Sequence, residues 1–346
     1  MTGILKLHDF RNHHRFAMEM RPGINVVIGD NGRGKTNLLE AVYLLLQGRP
    51  NRTADFEELI MHGQNEAVVE GSFDAGREIK KRMVITREGS HRAKRETREI
   101  QAVLFQPDDI WMVKGPPETR RKCLDEASTD VKRGYREVAR EYQRVLRQRN
   151  EAIRSVRRGE RDRGYIKGWN KLLYRHGSEV IGERLETVKE MNREMSDIAE
   201  RWGQGRLELK YYTTMGEDVG DEKKTMEKIA GMEEAEIRRG VSLIGPHRDE
   251  LVIRLAGRNA RRECSQGEQK LVAIMWRLAQ AKTIAGNTGR KTLLLMDDCL
   301  SELDEENRAR VMAELRRWKQ VVVTSTDDLP EFDHLYKVFL GQGEGR

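Results

Sequence analysis

The feature that most constrains this chain is a glycine-rich segment between a short apolar run and a helical pattern. Residues 29–36 have the sequence GDNGRGKT, which matches GxxxxGK[ST] at every defined position. Residues 24–28 (INVVI) are typical of a buried strand, and residues 35–47 carry apolar side chains at helical spacing. A strand, loop and helix in this order are the context in which the pattern binds phosphate. The sequence therefore predicts an α/β P-loop protein that binds a nucleoside triphosphate.

The loop is predicted to hold phosphate through its backbone and two of its side chains. Glycines let the chain curl so that N–H groups point at phosphate oxygens, and the helix N-terminus adds its positive dipole end. Lys35 is predicted to reach the β- and γ-phosphates as a catalytic residue, and Thr36 to ligate Mg²⁺. The predicted phosphate-binding residues are Gly29, Asp30, Asn31, Gly32, Arg33, Gly34, Lys35 and Thr36.

An apolar run that ends in two carboxylates, LLLMDD at residues 293–298, has the form of a Walker B strand. A carboxylate at the carboxyl end of a parallel strand lies beside the phosphate loop. Asp297 is predicted to hold Mg²⁺, directly or through water, and Asp298 to polarise the attacking water. The alternative is a helix N-cap pair, because Asp is favoured at that position.

A third segment narrows the class of P-loop protein. Residues 265–269 (SQGEQ) begin a helix upstream of the acidic strand and resemble the LSGGQ-type signature of ABC-type ATPases. In those ATPases the free N–H groups of this helix meet the γ-phosphate held by the other subunit, as an anion site at a helix N-terminus. The corresponding nucleotide-binding residues are Ser265, Gln266, Gly267 and Glu268. The same S-x-x-E spacing is that of an ordinary capping box, which stays open as an alternative.

Three further positions fit the same class. Gln106 stands where a Q-loop glutamine would, Asp304 ends a D-loop-like SELD, and Thr324 lies in a strand that ends in hydroxyls. All three are assigned to nucleotide binding, although a lone glutamine can equally be a polar surface residue. ABC transporters usually carry a histidine near that strand end, and residues 320–330 contain none.

The pattern along the chain predicts an α/β head built from both ends and a helical middle. Residues 1–105 and 241–346 are assigned to the head, which is expected to combine a mixed sheet with helices, and residues 106–240 to a helical lobe. Residues 114–175 hold 19 Lys and Arg against 9 Asp and Glu, which favours a basic binding surface in that lobe. The alternative is a set of solvated, salt-bridged helix faces.

The composition limits which binding partners and which cellular compartment are expected. The net charge of +7 fits nucleic acid, an anionic membrane surface or an acidic partner. Three cysteines without a CxxC pattern indicate reduced thiols rather than a disulfide scaffold or a zinc site. No apolar stretch approaches the ~18 residues of a membrane span, so a cytoplasmic protein is expected. His13 and His14 are interpreted as surface residues, and His247 and Arg248 as contacts between lobes, to nucleotide or to DNA.

Short motifs are spread over most of the chain. They are FRN at 10–12, GKTNLLEA at 34–41, GPPE at 115–118, RR at 120–121, LD at 124–125, YQRVLRQRN at 142–150, GPHRDEL at 245–251, SQG at 265–267, DD at 297–298 and SELD at 301–304. Taken together and in this order, they resemble the RecF family of bacterial recombination-repair ATPases. The signature departs from the family in having SQGEQ where SQGQQ is more common.

The resemblance implies an ABC/SMC-type ATPase head with a helical second lobe, weak ATPase activity, and ATP and Mg²⁺ as cofactors. It implies that ATP drives head-to-head homodimerisation with two sandwiched nucleotides, and that hydrolysis resets the dimer. The implied partners are double-stranded DNA beside single-stranded gaps, bound without sequence specificity, and the proteins RecR and RecO, with which it promotes loading of RecA on SSB-coated DNA.

Two other functions are weighed against this one. A transporter's ATPase subunit would share the loop, the signature and the acidic strand, but the absent histidine, the GPHRDE segment and the basic helical insert disfavour it. A scaffold that uses nucleotide only as a structural ligand is disfavoured by the two intact acidic residues, Asp297 and Asp298.

Overall fold

The computed structural model describes residues 2–51, 55–74, 76–92 and 99–341, and it confirms the α/β class. The strands are β1 (Gly3–Phe10), β2 (His13–Met20), β3 (Gly23–Ile28), β4 (Glu66–Asp74), β5 (Glu78–Thr86), β6 (Gly89–Arg92), β7 (Ile100–Phe105), β8 (Leu207–Tyr212), β9 (Glu250–Leu255), β10 (Arg258–Asn259), β11 (Lys291–Met296), β12 (Gln320–Ser325) and β13 (Tyr336–Phe339). The helices are α1 (Lys35–Gln47), α2 (Trp111–Lys114), α3 (Pro117–Val131), α4 (Tyr135–Arg157), α5 (Gly164–Arg201), α6 (Glu222–Gly231), α7 (Glu233–Arg239), α8 (Ala260–Glu263), α9 (Gln266–Thr288) and α10 (Glu305–Leu315).

The chain divides into two compact units, residues 1–109 with 284–346 and residues 110–283. Both chain ends contribute to the first unit, but its second segment begins at residue 284, within α9, rather than at residue 241. The difference arises because β9 pairs with β8 of the second unit. Arg120 on α3 also binds Glu250 at the start of β9 through two hydrogen bonds of 2.8 and 3.1 Å.

The described residues of the first unit form one parallel and one antiparallel sheet. In one, the strand order is β13-β3-β12-β11-β7, every pairing is parallel, and the three central strands are mostly buried and contain the apolar runs VVI, VVV and LLLM. The other has the order β2-β1-β4-β5-β6, is antiparallel throughout, and shows alternating burial along β1 and β4. Continuous runs are expected of a parallel strand covered on both faces, and alternation of a strand with one covered face.

Helix α1 lies in the core of this unit and contacts strands of both sheets. A helix with one covered face needs a single apolar stripe, whereas one packed on several sides is apolar nearly all round. Residues 38–46 of α1 are accordingly all buried, including Leu38, Leu39 and Leu44 without exposed surface. The helix that follows the phosphate loop is therefore held firmly by hydrophobic packing.

The second unit is mainly helical and includes a small antiparallel sheet of order β10-β9-β8. Strand β8 lies inside the segment that the sequence predicts to be helical, and its first residues alternate between buried and more exposed positions. Helices α4 and α5 pack along each other over a core that includes Tyr142, Leu146 and Leu173. α5 is 38 residues long, yet neither it nor any other helix in the described ranges is apolar enough along its length to cross a membrane.

A buried polar network organises the segment that carries the GPHRDE motif. The Arg149 side chain has no exposed surface and donates to Glu236 (2.7 Å), Asn170 (3.0 and 3.1 Å) and Ser242 (2.8 Å). Glu236 is equally buried and accepts a hydrogen bond from the Leu243 backbone. The network joins α4, α5 and α7 to the chain that leads into the motif.

Residues next to this network determine the tautomer of His247. Its Nε2 lies 3.1 Å from the Ser242 carbonyl oxygen, which can only accept, so Nε2 carries the proton and Nδ1 accepts from the Tyr142 hydroxyl at 2.6 Å. Burial lowers the pKa of His247 to about 4, which keeps the ring neutral at pH 7. His247 is thus an internal contact of the second unit, whereas Arg248 is exposed.

The buried pair makes a prediction about stability. Replacing Arg149 by Met leaves the Glu236 carboxylate buried without its cation, which should lower the free energy of unfolding by about 3–5 kcal/mol. Replacing Arg154 by Met on the same helix breaks an ion pair with Glu151 whose side chains are 46% and 53% exposed, and should cost less than about 1 kcal/mol. Denaturant unfolding followed by circular dichroism measures the free energy of unfolding of both variants. Equal decreases in the two variants would contradict a stabilising role for the buried Arg149–Glu236 pair.

Candidate functional site

The phosphate loop leaves the carboxyl end of β3, which lies between β12 and β13 in the parallel sheet. Gly32 and Gly34 have φ angles of 81° and 93°, in the left-handed region that glycine enters without strain. A Cβ atom on Gly34 would lie 2.5 Å from the side chains of Asn12 and His13, so this position admits only glycine. Helix α1 then begins at Lys35, as the sequence predicts.

Lys35 directs its charge into the loop. The residue is 8% exposed, and its Nζ donates to the carbonyl oxygens of Gly29 and Asp30, the latter at 3.0 Å. The ammonium group therefore lies against backbone carbonyl oxygens of the loop. The contact of Lys35 with the β- and γ-phosphates stays a prediction.

The turn between β1 and β2 contacts the phosphate loop and holds its backbone in place. Asn12 Nδ2 donates to the Gly32 carbonyl oxygen at 3.3 Å, and His13 Nε2 lies 3.1 Å from that of Gly34. Arg11 fastens the turn to α1 through two hydrogen bonds of 3.1 and 3.2 Å to the fully buried Glu40. The interpretation of His13 as a surface residue was wrong, because the residue is 3% exposed against the loop.

The two acidic residues follow β11 and are positioned by the neighbouring strand. The Thr324 hydroxyl of β12 donates to Asp297 Oδ1 at 2.7 Å and accepts the Asp298 N–H at 3.0 Å. Asp298 has a φ of 47°, a left-handed conformation that is uncommon outside glycine and often marks functional sites. A single buried hydroxyl thus orients one carboxylate and holds the backbone of the next residue.

The loop and the acidic strand end form one cavity of about 300 Å³ in the first unit. A volume of this size is at the lower end of the range for small-molecule sites. The cavity places the loop lysine and both carboxylates around a common space, as the sequence predicts. Its lining consists of Asn31, Gly32, Gly34, Lys35, Thr36, Asn37, Pro107, Asp297, Asp298 and Thr326.

The donor set fits Mg²⁺. Thr36 offers a hydroxyl and Asp297 a carboxylate to the same cavity, and Mg²⁺ is usually bound by one or two protein oxygens together with substrate phosphates and water. In the described part of the chain no group of three His, Cys, Asp or Glu side chains is arranged to enclose a metal ion. A magnesium ion here would therefore be held jointly by the protein and a nucleotide.

Several predicted residues lie outside the cavity lining. Gln106 follows β7 at the same sheet edge as Asp297, and its amide oxygen accepts a hydrogen bond from Asn51. Asp304 caps α10 by accepting the Asn307 N–H at 2.7 Å. Thr324 is 1% exposed and reaches the cavity only through the two aspartates. The loop residues Gly29, Asp30 and Arg33 do not line the cavity either.

The signature segment belongs to the second unit and forms a capping box at the start of α9. The Ser265 N–H donates to Glu268 Oε2 at 2.8 Å, and the Glu268 N–H donates to Ser265 Oγ at 3.3 Å. Arg258 binds the Glu268 carboxylate at 2.5 Å and holds its pKa below the usual range. Ser265 and Gln266 are exposed, so this helix start faces solvent in the single chain.

Sequence reasoning missed Asn12, His13, Asn37, Pro107 and Thr326. Two of them could have been found from the sequence: Asn12 lies in the FRN segment at residues 10–12, and Thr326 follows the hydroxyl-rich end of β12. The others become apparent only when the hairpin and the strand ends are in place.

Comparisons with known proteins point in one direction. The family model described as the RecF/RecN/SMC N terminal domain matches residues 3–344. The DNA replication and repair protein RecF of Acidothermus cellulolyticus is 34% identical over 94% of each chain, and that of Symbiobacterium thermophilum is 32% identical over 93% of this chain and 90% of its own. The chain belongs to the RecF family.

Solved structures agree with this assignment. A structure described as the recombination mediator protein RecF-ATPrS in the RecFOR pathway covers 99% of this chain and 96% of its own, with 25% identity and a TM-score of 0.83. An Smc head domain of Pyrococcus furiosus, 18% identical with a TM-score of 0.51, shares the fold. The predicted ABC/SMC-type head is therefore confirmed.

The Thr324 contacts yield a test of how the acidic residues are oriented. Thr324→Val keeps the shape and removes the hydroxyl, so ATP turnover should fall by about tenfold or more, the effect of losing a hydrogen bond to a charged group. The Mg²⁺ concentration for half-maximal turnover should also rise. Thr324→Ser keeps the hydroxyl and should stay within about threefold of the parent. Phosphate release measured over a Mg²⁺ series distinguishes the two, and identical behaviour of the variants would refute the role.

Proposed function

We propose that this chain is an ATP-dependent DNA-binding protein of recombinational repair with weak ATPase activity. The observation that carries the proposal is the cavity in which Lys35, Thr36, Asp297 and Asp298 meet. Membership of the RecF family supports ATP as the nucleotide, since two solved structures of RecF proteins are described with ATP or ATPrS.

The side chains of the cavity supply each element that phosphoryl transfer requires. The Lys35 ammonium and the loop N–H groups stabilise the negative charge that develops on the phosphates. A magnesium ion held at Thr36 and Asp297 would neutralise the β- and γ-phosphate oxygens. The Asp298 carboxylate, fixed by its strained backbone, orients the attacking water.

The arrangement of the signature supports dimerisation driven by ATP. Its exposed helix start presents N–H groups and a positive dipole end, while the phosphate loop of the same chain belongs to the other unit. A nucleotide held on one loop can meet the signature of a second copy, so ATP stabilises the dimer and not the monomer. The Arg258 partner of Glu268 offsets a carboxylate that would otherwise repel a phosphate.

The DNA partner and the repair pathway follow from the relatives and the charge. The relatives are described as DNA replication and repair proteins and as a recombination mediator of the RecFOR pathway. A net charge of +7 favours binding to phosphates. We include duplex DNA at gap junctions, RecR and RecO as partners, promotion of RecA loading, and a cytoplasmic location in the proposal.

Duplex DNA binding tests the function directly. Fluorescence anisotropy with a labelled duplex at fixed salt should show binding that tightens about tenfold or more with ATP, a usual size of allosteric coupling. Lys35→Ala should remove the effect of ATP, because it removes the cation that holds the phosphates. Absence of binding with and without ATP would refute the DNA role and leave the nucleotide site standing.

Dimerisation is tested at the signature. Ser265→Arg places a bulky side chain at the exposed start of α9, so ATP-driven dimers should disappear from sedimentation velocity while ATP binding persists. Ser265→Ala is the matched control, because it removes the same cap, worth about 0.5–2 kcal/mol, without adding volume. Normal dimers in the Arg variant would contradict the sandwich.

A further inference from the structure

Helix α4 carries a row of arginines on its outer face. Residues four, four and three positions apart lie on one side of an α-helix. The row spans twelve residues, which is eleven helical steps or about 16 Å of helix. It consists of Arg136, Arg140, Arg144 and Arg147, all exposed, and is called the α4 stripe below.

The α4 stripe is largely free of internal neutralisation. Arg136, Arg140 and Arg147 make no ion pair or side-chain hydrogen bond with any residue in the described ranges, and Arg144 approaches Glu141 only at 3.9 Å. The same face continues towards the C-terminus of α4 with Arg154 and Arg158. These two are bound at 2.6–3.2 Å by Glu151 and Glu160. One half of the face is therefore open to an external anion and the other is neutralised within the chain.

The stripe is held on a rigid support. The opposite face of α4 packs into the core through Tyr142, Val145 and Leu146, and Arg149 anchors the helix in the buried network. The next helix adds positive charge, since residues 163–178 contain Arg163, Lys167, Lys171 and Arg175 and no Asp or Glu. These four side chains are exposed, and α5 packs against α4, so exposed positive charge is present on two neighbouring helices of the second unit.

We infer that the α4 stripe contacts the phosphate backbone of double-stranded DNA, an inference that rests on the proposed DNA-binding function. Duplex DNA presents one negative charge per ~1.7 Å of axis, so a row of about 16 Å meets ample phosphate. Sites for single-stranded nucleic acid usually add aromatic side chains for base stacking, and membrane-binding helices usually add exposed apolar anchors. Along α4, which is described in full, no large aromatic or apolar side chain is exposed, whereas residues 164–178 of α5 expose Tyr165 and Leu172. The α4 stripe itself therefore offers charge alone.

The test compares two double variants on one helix face. Arg136→Gln/Arg140→Gln and Arg154→Gln/Arg158→Gln remove the same charge, but only the first removes cations without internal partners. With ATP present, the first should weaken duplex binding about tenfold or more and reduce the slope of log K against log salt by about 2 per protomer. The second should change affinity by less than about threefold. ATP binding, measured separately, reports that both variants are folded.

The possible results distinguish failure of the α4 stripe as a DNA contact from failure of the proposed DNA-binding function. A parent protein that binds no duplex under any condition refutes both. A parent that binds duplex, with equal loss in the two double variants or none in the first, overturns the α4 stripe and leaves the function intact. Loss of binding to phosphatidylglycerol vesicles or to single strands, with duplex binding unchanged in the first variant, overturns the assignment to duplex DNA.

Discussion

Main-chain pairing in the parallel sheet is the interaction on which the site depends. β12 pairs with β3 on one side and β11 on the other, in registers that place Ser325 beside Ile28 and Met296 beside Val323. Parallel strands end at the same edge, so the loop after β3 and the carboxylates after β11 meet there although the sequence separates them widely. The burial of these strands keeps that edge in place.

A layer of polar contacts then adjusts the positions that the sheet provides. Thr324 orients Asp297 and the backbone of Asp298, while Asn12 and His13 support the two glycines of the loop. These groups are buried or bound to backbone carbonyl oxygens, and a polar group without its partner would be unfavourable there. The chemistry of the cavity therefore depends on residues that need not touch a nucleotide.

The nucleotide site and the proposed DNA-contacting surface lie in different units, as expected of a clamp controlled by nucleotide. The first unit holds the phosphate loop and both carboxylates, and the second holds the signature and the α4 stripe. The proposed dimer brings a loop and a signature from different copies together. Each proposed dimer would therefore carry two α4 stripes, one on each copy.

The amino-acid sequence by itself determined the parts whose chemistry is local. Apolar runs predict the strand before the loop and the strand that ends in Asp297. The glycines of the loop and the apolar spacing after them predict the bounds of α1. The spacing of Ser265 and Glu268 predicts the capping box at the start of α9. The tertiary structure alone decided the rest. β2 is an edge strand with a weak apolar pattern, so neither the hairpin nor the burial of His13 could be predicted. The hydroxyls at the end of β12 indicate Thr324 as a site residue, but its contacts with Asp297 and Asp298 depend on strand pairing between distant segments, which the sequence does not show.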